Sequence, residues 1–208
     1  MKFDEIHLKM TFKYNFFLLF FLFCSLSLFS QRKKDSFNKE LDKLNCTKLN
    51  KVNFNDLETL YPFNSSSKII FTSYQNHTPG IIGDELTKFL DGLHNQKIDS
   101  ISLKNFKEFK ILDNNEKFKL LDIIYNYGYK AKPTIYEGTK CYFPQNAILF
   151  IDSDGKLLAF IELCFGCNKF RTNNDQITVG EECSQKYNMI KQLFKDNGIL
   201  YGIVENEL

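Results

Sequence analysis

Cys164 and Cys167 stand in the stretch IELCFGCNKF, at the end of an apolar run and separated only by Phe165 and Gly166. Cysteines at this spacing serve as a redox pair, as half of a metal site or as structural sulfurs. An oxidoreductase would use Cys164 as nucleophile and Cys167 as resolving thiol. That chemistry wants the first cysteine at a helix N-terminus, where backbone amides lower its pKa. The chain instead continues as NKFRTNNDQ, whose Asn173, Asn174 and Asp175 read as a loop. A zinc site would draw on Cys141, Cys164, Cys167 and Cys183, but the second Cys-x-x-Cys of a zinc ribbon is missing. Covalent haem attachment is excluded, because Asn168 occupies the place of the histidine that motif needs. Structural disulfide bonding with buried thiols is the preferred reading, and no resident cofactor is expected.

The compartment decides how much weight that reading takes. Lys13 precedes an apolar run from Phe16 to Phe29, interrupted by Cys24, Ser25 and Ser27. A spanning helix needs about 20 apolar residues, whereas the core of a secretory signal needs about 7–15 after a basic start. Residues 1–30 therefore read as a signal peptide cut after Ser30, with Ser27 as the second choice. A lipoprotein box at Cys24 is disfavoured by Phe23, and an uncleaved anchor would be the only contact with a membrane. Asp4 and Glu5 suit a signal start poorly and suggest Met10 as the initiator. Export implies an oxidising milieu where disulfides persist. Five cysteines then remain, Cys46, Cys141, Cys164, Cys167 and Cys183, an odd number that leaves a thiol over.

Residues 1–30 hold Lys2, Lys9, Lys13, Asp4 and Glu5, so 24 of 27 basic and 23 of 25 acidic side chains remain beyond them. This near balance carries no nucleic-acid footprint. Only Arg32 and Arg171 are arginines, which argues against recognition of phosphate by guanidinium forks. His77, in the loop YQNHTPG, and His94 have no nucleophile or acid tied to them by spacing. Asp152, Asp154 and Gly155 echo a calcium loop without its remaining ligands, and hairpin chemistry explains them better. Asn45, Asn64 and Asn76 each open a glycosylation sequon.

The elements that must position the cysteines are legible in part. Residues 31–66 read as a peripheral, partly helical segment, with Phe37, Leu41 and Leu44 at helical spacing and a stop at Pro62. Residues 67–208 read as one α+β domain. Within it, 68–74 predicts a strand and 84–93 a helix, and 98–112 alternates at Ile101 and Leu103 as strands do. Asp113 and Glu116 have capping-box spacing before a helix closed by Gly128. Thr178 and Glu181 suggest a second box before a helix bearing Cys183, Tyr187, Ile190 and Phe194.

NAILFIDSDGKLLAFIEL, residues 146–163, is the strongest element: a β-hairpin apolar on both faces, hence central in a covered sheet. The order predicts one mostly antiparallel sheet packed by three to four helices. A three-residue Ser-Asp-Gly loop would pair Phe150 with Leu158 and Ile148 with Phe160. Extended outward, that register sets Cys141 opposite Cys167; a two-residue turn would point Cys141 to the other face. Cys141–Cys164 is the next choice.

The stretch CYFPQNAILFIDSDGKLLAFIELCFGC resembles uncharacterised exported proteins carrying C-[FY]-x-P, a hairpin and C-[FL]-x-C, a group with no assigned activity. The resemblance implies that Cys141, Pro144, Cys164 and Cys167 belong together. The reading is thus an exported, disulfide-stabilised, non-enzymatic binding or envelope-associated module. Its rivals are an extracytoplasmic thiol oxidoreductase and a structural zinc domain.

Overall fold

The computed structural model describes residues 37–52, 54–57, 59–76, 84–93, 97–134 and 141–203. The signal segment, Met10, Cys24, His77 and His94 lie outside them. In chain order the elements are helix α1 (37–44), β1 (Cys46–Lys48), α2 (Phe54–Leu57), β2 (Lys68–Ser73), α3 (Asp84–Asp91) and α4 (Ser100–Leu103). They continue with β3 (Glu108–Ile111), α5 (Asn114–Asn126), β4 (Tyr127–Tyr129), β5 (Asn146–Ile151), β6 (Leu157–Cys164), β7 (Lys169–Thr172) and α6 (Lys186–Asp196). The fold is α+β. A five-stranded antiparallel sheet has the order β3-β2-β5-β6-β7, and β1 pairs separately with β4.

All six residues of β5 are buried, as a strand apolar on both faces requires in the middle of a covered sheet. On one face Ile69, Phe71, Ile148, Phe150, Ile161 and Leu163 meet α5 and α6. Phe71 stacks on Phe194 there, at 3.9 Å between ring centroids. On the other face Ile70, Leu149 and Phe160 meet Leu86 and Leu90 of α3 and Leu103 of α4. Asp113 and Glu116 form the expected capping box on α5. The Glu116 amide donates to Asp113 Oδ1 at 2.8 Å, and the Asp113 amide donates to Glu116 Oε2 at 2.7 Å.

Three expectations are corrected. Ile101 and Leu103 belong to the helical turn α4, because the Asp99 carboxylate accepts from the amides of Ile101 and Ser102 at 3.0 and 2.8 Å and nucleates it. Strand begins only at Glu108. Thr178 and Glu181 form no capping box. Gly180 turns the chain at φ +66° tight against α5, where a β-carbon would come within 2.5 Å of the Ile124 carbonyl oxygen, and α6 starts at Lys186. The hairpin loop has Gly155 at φ +80°, as the three-residue turn predicts, and Ile151 pairs with Leu157. A bulge between Phe150 and Ile151 then shifts the ladder, so Phe150 faces Ala159 and Ile148 faces Ile161.

The segment before β2 is fastened to this body. Leu44 and Phe63 are buried, and Phe63 packs edge-on against Phe150 at 5.0 Å. Phe63→Ala should therefore cost about 3–5 kcal/mol in urea unfolding. A loss below about 0.5 kcal/mol, the range of surface substitutions, would show that the segment is an appendage.

Candidate functional site

Sequence places one carboxylate, Glu162, inside the apolar strand β6, on the face that meets α3. It has no exposed surface. A carboxylate in that position must be paired and hydrogen-bonded. Tyr74, just beyond β2, donates its hydroxyl to Glu162 Oε1 at 2.6 Å. Tyr142 donates to Oε2 at 2.8 Å, and Arg171 of β7, the direct cross-strand partner, places Nη2 3.2 Å from the same oxygen. Arg171 also reaches Thr87 Oγ1 of α3 at 3.3 Å. Burial, then the Glu162 charge, pushes both tyrosine hydroxyls well above their ordinary pKa, so they stay donors. The cluster ties five parts of the chain to one another.

Cys164 lies two residues further along the same face and is 2 % exposed. Its Sγ accepts from the Phe143 amide at 3.3 Å and also from the amides of Gly166 and Cys167. Burial raises its pKa, against the opposing pull of those amides. Cys164 is a thiol, whereas Cys167 is joined to Cys141, with Cα atoms 5.8 Å apart. The register extrapolated from the hairpin does not explain this bond. The bulge changes the register, residues 141–145 lie outside the strands, and a turn over 165–168 ends β6 before Cys167. Cys183 is joined to Cys46, with Cα atoms 5.0 Å apart.

The redox pair Cys164/Cys167 is therefore not formed, and the segment after it turns into β7 rather than a helix. The alternative zinc set is not assembled either. Three of its sulfurs are in disulfides, and among the described residues no group of three or more metal-ligating side chains converges. Asp152 Oδ1 accepts from the amides of Asp154 and Lys156, which is turn chemistry. Asn76 is buried, with its side-chain amide donating to the Pro144 carbonyl at 3.1 Å, and is closed to a glycan.

A cleft of about 370 Å³ opens between the two disulfides. Cys167 and Cys183 stand on its walls, with Tyr129 and Phe170 as aromatic surface and Lys169 and Glu182 as charges. The Tyr187 hydroxyl, also in the wall, donates to Glu182 Oε2 at 2.7 Å, and burial pushes its pKa up. Behind it Lys186 is buried and donates to the carbonyls of Ile124 and Val179 at 2.7 and 3.2 Å. Burial lowers its pKa to about 8. Sequence reasoning missed Glu162, Tyr74, Tyr142 and Lys186. The one signal in the sequence was a single acid within an apolar strand, with one of the chain's two arginines nine residues on.

Glu162→Ala should cost about 3–5 kcal/mol in urea unfolding, because it removes the acceptor that Arg171 and two tyrosine hydroxyls share. A near-neutral result would show that these groups find other partners. Lys186 gives a pH signature. Between about 8 and its ordinary value of 10.5 the unfolded chain binds the extra proton, so its contribution to stability rises with pH across that window. Unfolding free energies from pH 7 to 10 should show the parent gaining on Lys186→Met above pH 8; parallel curves would contradict it.

No family model matches the chain, and no curated protein or solved structure matches it.

Proposed function

We propose that the chain works outside the cytosol as a non-enzymatic binding module whose ligand seats in the cleft between the two disulfides. The observation that carries this reading is the position of the disulfides themselves. Each contributes a cysteine to the cleft lining, so oxidation fastens two of the segments that line it to other parts of the chain. Disulfides of this kind persist in oxidising compartments, and the apolar run Phe16–Phe29 supplies a route there. Among the described residues no helix is long and apolar enough to cross a membrane. The cleft combines aromatic surface with one cation and one anion, which suits a small ligand with a ring and a polar group.

The Cys46–Cys183 bond closes a sequence separation of 137 residues and Cys141–Cys167 one of 26. Chain entropy makes the first worth about 5 kcal/mol and the second about 3–4. Expressed with residues 1–30, the chain should leave the cytosol shortened at its N-terminus, and its intact mass should rise on reduction by two hydrogens for each of two disulfides. Replacing Cys46 and Cys183 by Ala should destabilise it more than replacing Cys141 and Cys167. A full-length chain soluble in the cytosol with every cysteine alkylatable would overturn the reading.

A further inference from the structure

We propose that Cys141, Cys164 and Cys167 form a three-sulfur exchange unit, in which Cys164 attacks Cys167 and releases Cys141 as a modifiable surface thiol. The proposal is independent of what the cleft binds. Two chain segments meet here, the stretch 141–145 and the turn that ends β6. The Cys167 amide donates to the Cys164 carbonyl at 3.2 Å and closes a β-turn over 164–167. Such a turn brings its first and fourth Cα atoms within about 7 Å, close to the roughly 4.4–6.8 Å a disulfide spans. The Cys164 sulfur rests against the Phe143 amide, two residues from Cys141, and against the amides of Gly166 and Cys167. It therefore bridges the same two segments that the Cys141–Cys167 bond joins.

The step is balanced without any external oxidant or reductant. The Cys164 thiol loses its proton and its sulfur bonds to Cys167 Sγ. The Cys141–Cys167 bond breaks, and Cys141 leaves as a thiolate that takes up a proton. One disulfide and one thiol stand on each side. What changes is access. Cys164 and Cys167 are 2 % and 5 % exposed, whereas Cys141 is exposed. In the starting form the one free thiol among the described residues is buried; after exchange the free thiol faces solvent, where a disulfide-bearing molecule can form a mixed disulfide with it.

Exchange needs the Cys164 thiolate. Lys169, paired with Cys164 across β7, favours that form. Tyr142 from the crossing segment, Tyr187 from α6 and Glu162 on the same face of β6 are the other titratable groups around the sulfur. Burial keeps the thiolate scarce near neutrality, so the exchange should accelerate about tenfold per pH unit while the thiol remains protonated.

The test alkylates the folded, oxidised full chain with iodoacetamide, without reductant or denaturant, at pH 7, 8 and 9, and maps the label by peptide mass. The expected result is label on Cys141, rising about tenfold per pH unit, together with a Cys164–Cys167 crosslink. Cys164→Ala should abolish it. Cys141→Ala, produced by export, should carry Cys164 and Cys167 joined, which keeps the proposal testable if the first variant fails to fold. Label on Cys164 alone, no label before denaturation, label on Cys46 or Cys183, or a Cys141→Ala chain with both thiols free would each overturn it.

Discussion

A strand apolar on both faces has to be covered twice, and β5 sets that demand for the whole chain. Buried along its full length, it holds the centre of the sheet with β2 on one side and β6 on the other. The two covers come from different places in the sequence. One is α5 with α6, joined by Phe63 from the segment before β2; the other is α3 with α4. The N-terminal segment and the C-terminal helix thus depend on the same strand, and the Cys46–Cys183 bond links those two regions directly.

That dependence explains which polar groups the interior tolerates. Glu162 lies in the covered sheet with no exposed surface, so its cost has to be offset by donors, among them Tyr74, Tyr142 and Arg171. Each donor comes from a different segment, and a carboxylate with three such donors has a single arrangement in which all are satisfied. Apolar packing tolerates sliding more readily, so this cluster gives the sheet and the crossing segment 141–145 a fixed relative position. Lys186 does a smaller version of the same work, bonding to the carbonyls of Ile124 and Val179 where α5 meets the chain leading into α6.

The parts of the fold legible in sequence are those written in local chemistry. The hairpin turn with Gly155, the box at Asp113 and Glu116, and the apolar strand 68–73 all follow from residues within a few positions of one another. Where distant residues compete, local pattern misleads. Glu181 has capping spacing to Thr178, but its carboxylate instead accepts from the Tyr129 amide at 2.8 Å and pairs with Lys51 at 2.6 Å. The alternation at Ile101 and Leu103 gives way to the Asp99 cap, whose partner Ser102 lacks the usual Glu or Gln signature. The tyrosine partners of Glu162 could not be read at all, since Tyr74 and Tyr142 lie 88 and 20 residues away.

The two disulfides answer to different physical situations. Cys183 is fully buried, and its bond to Cys46 spans the long separation between the N-terminal segment and α6. Around it Gln185 Oε1 accepts from the Cys46 amide at 2.6 Å, and Gln185 Nε2 donates to Asn45 at 2.7 Å, so hydrogen bonds hold the joint as well as sulfur does. The Cys141–Cys167 bond closes a short separation, has one exposed end, and sits beside a third sulfur cradled by backbone amides. The Glu162 cluster anchors Tyr142, one residue from Cys141, independently of that bond. A joint with such a second anchor can change its sulfur connectivity without releasing the segment it joins. The Cys46–Cys183 clasp is likewise backed by the Ser184 amide, which donates to the Leu44 carbonyl at 2.9 Å, but the free thiol Cys164 lies against the other joint, at the Phe143 amide.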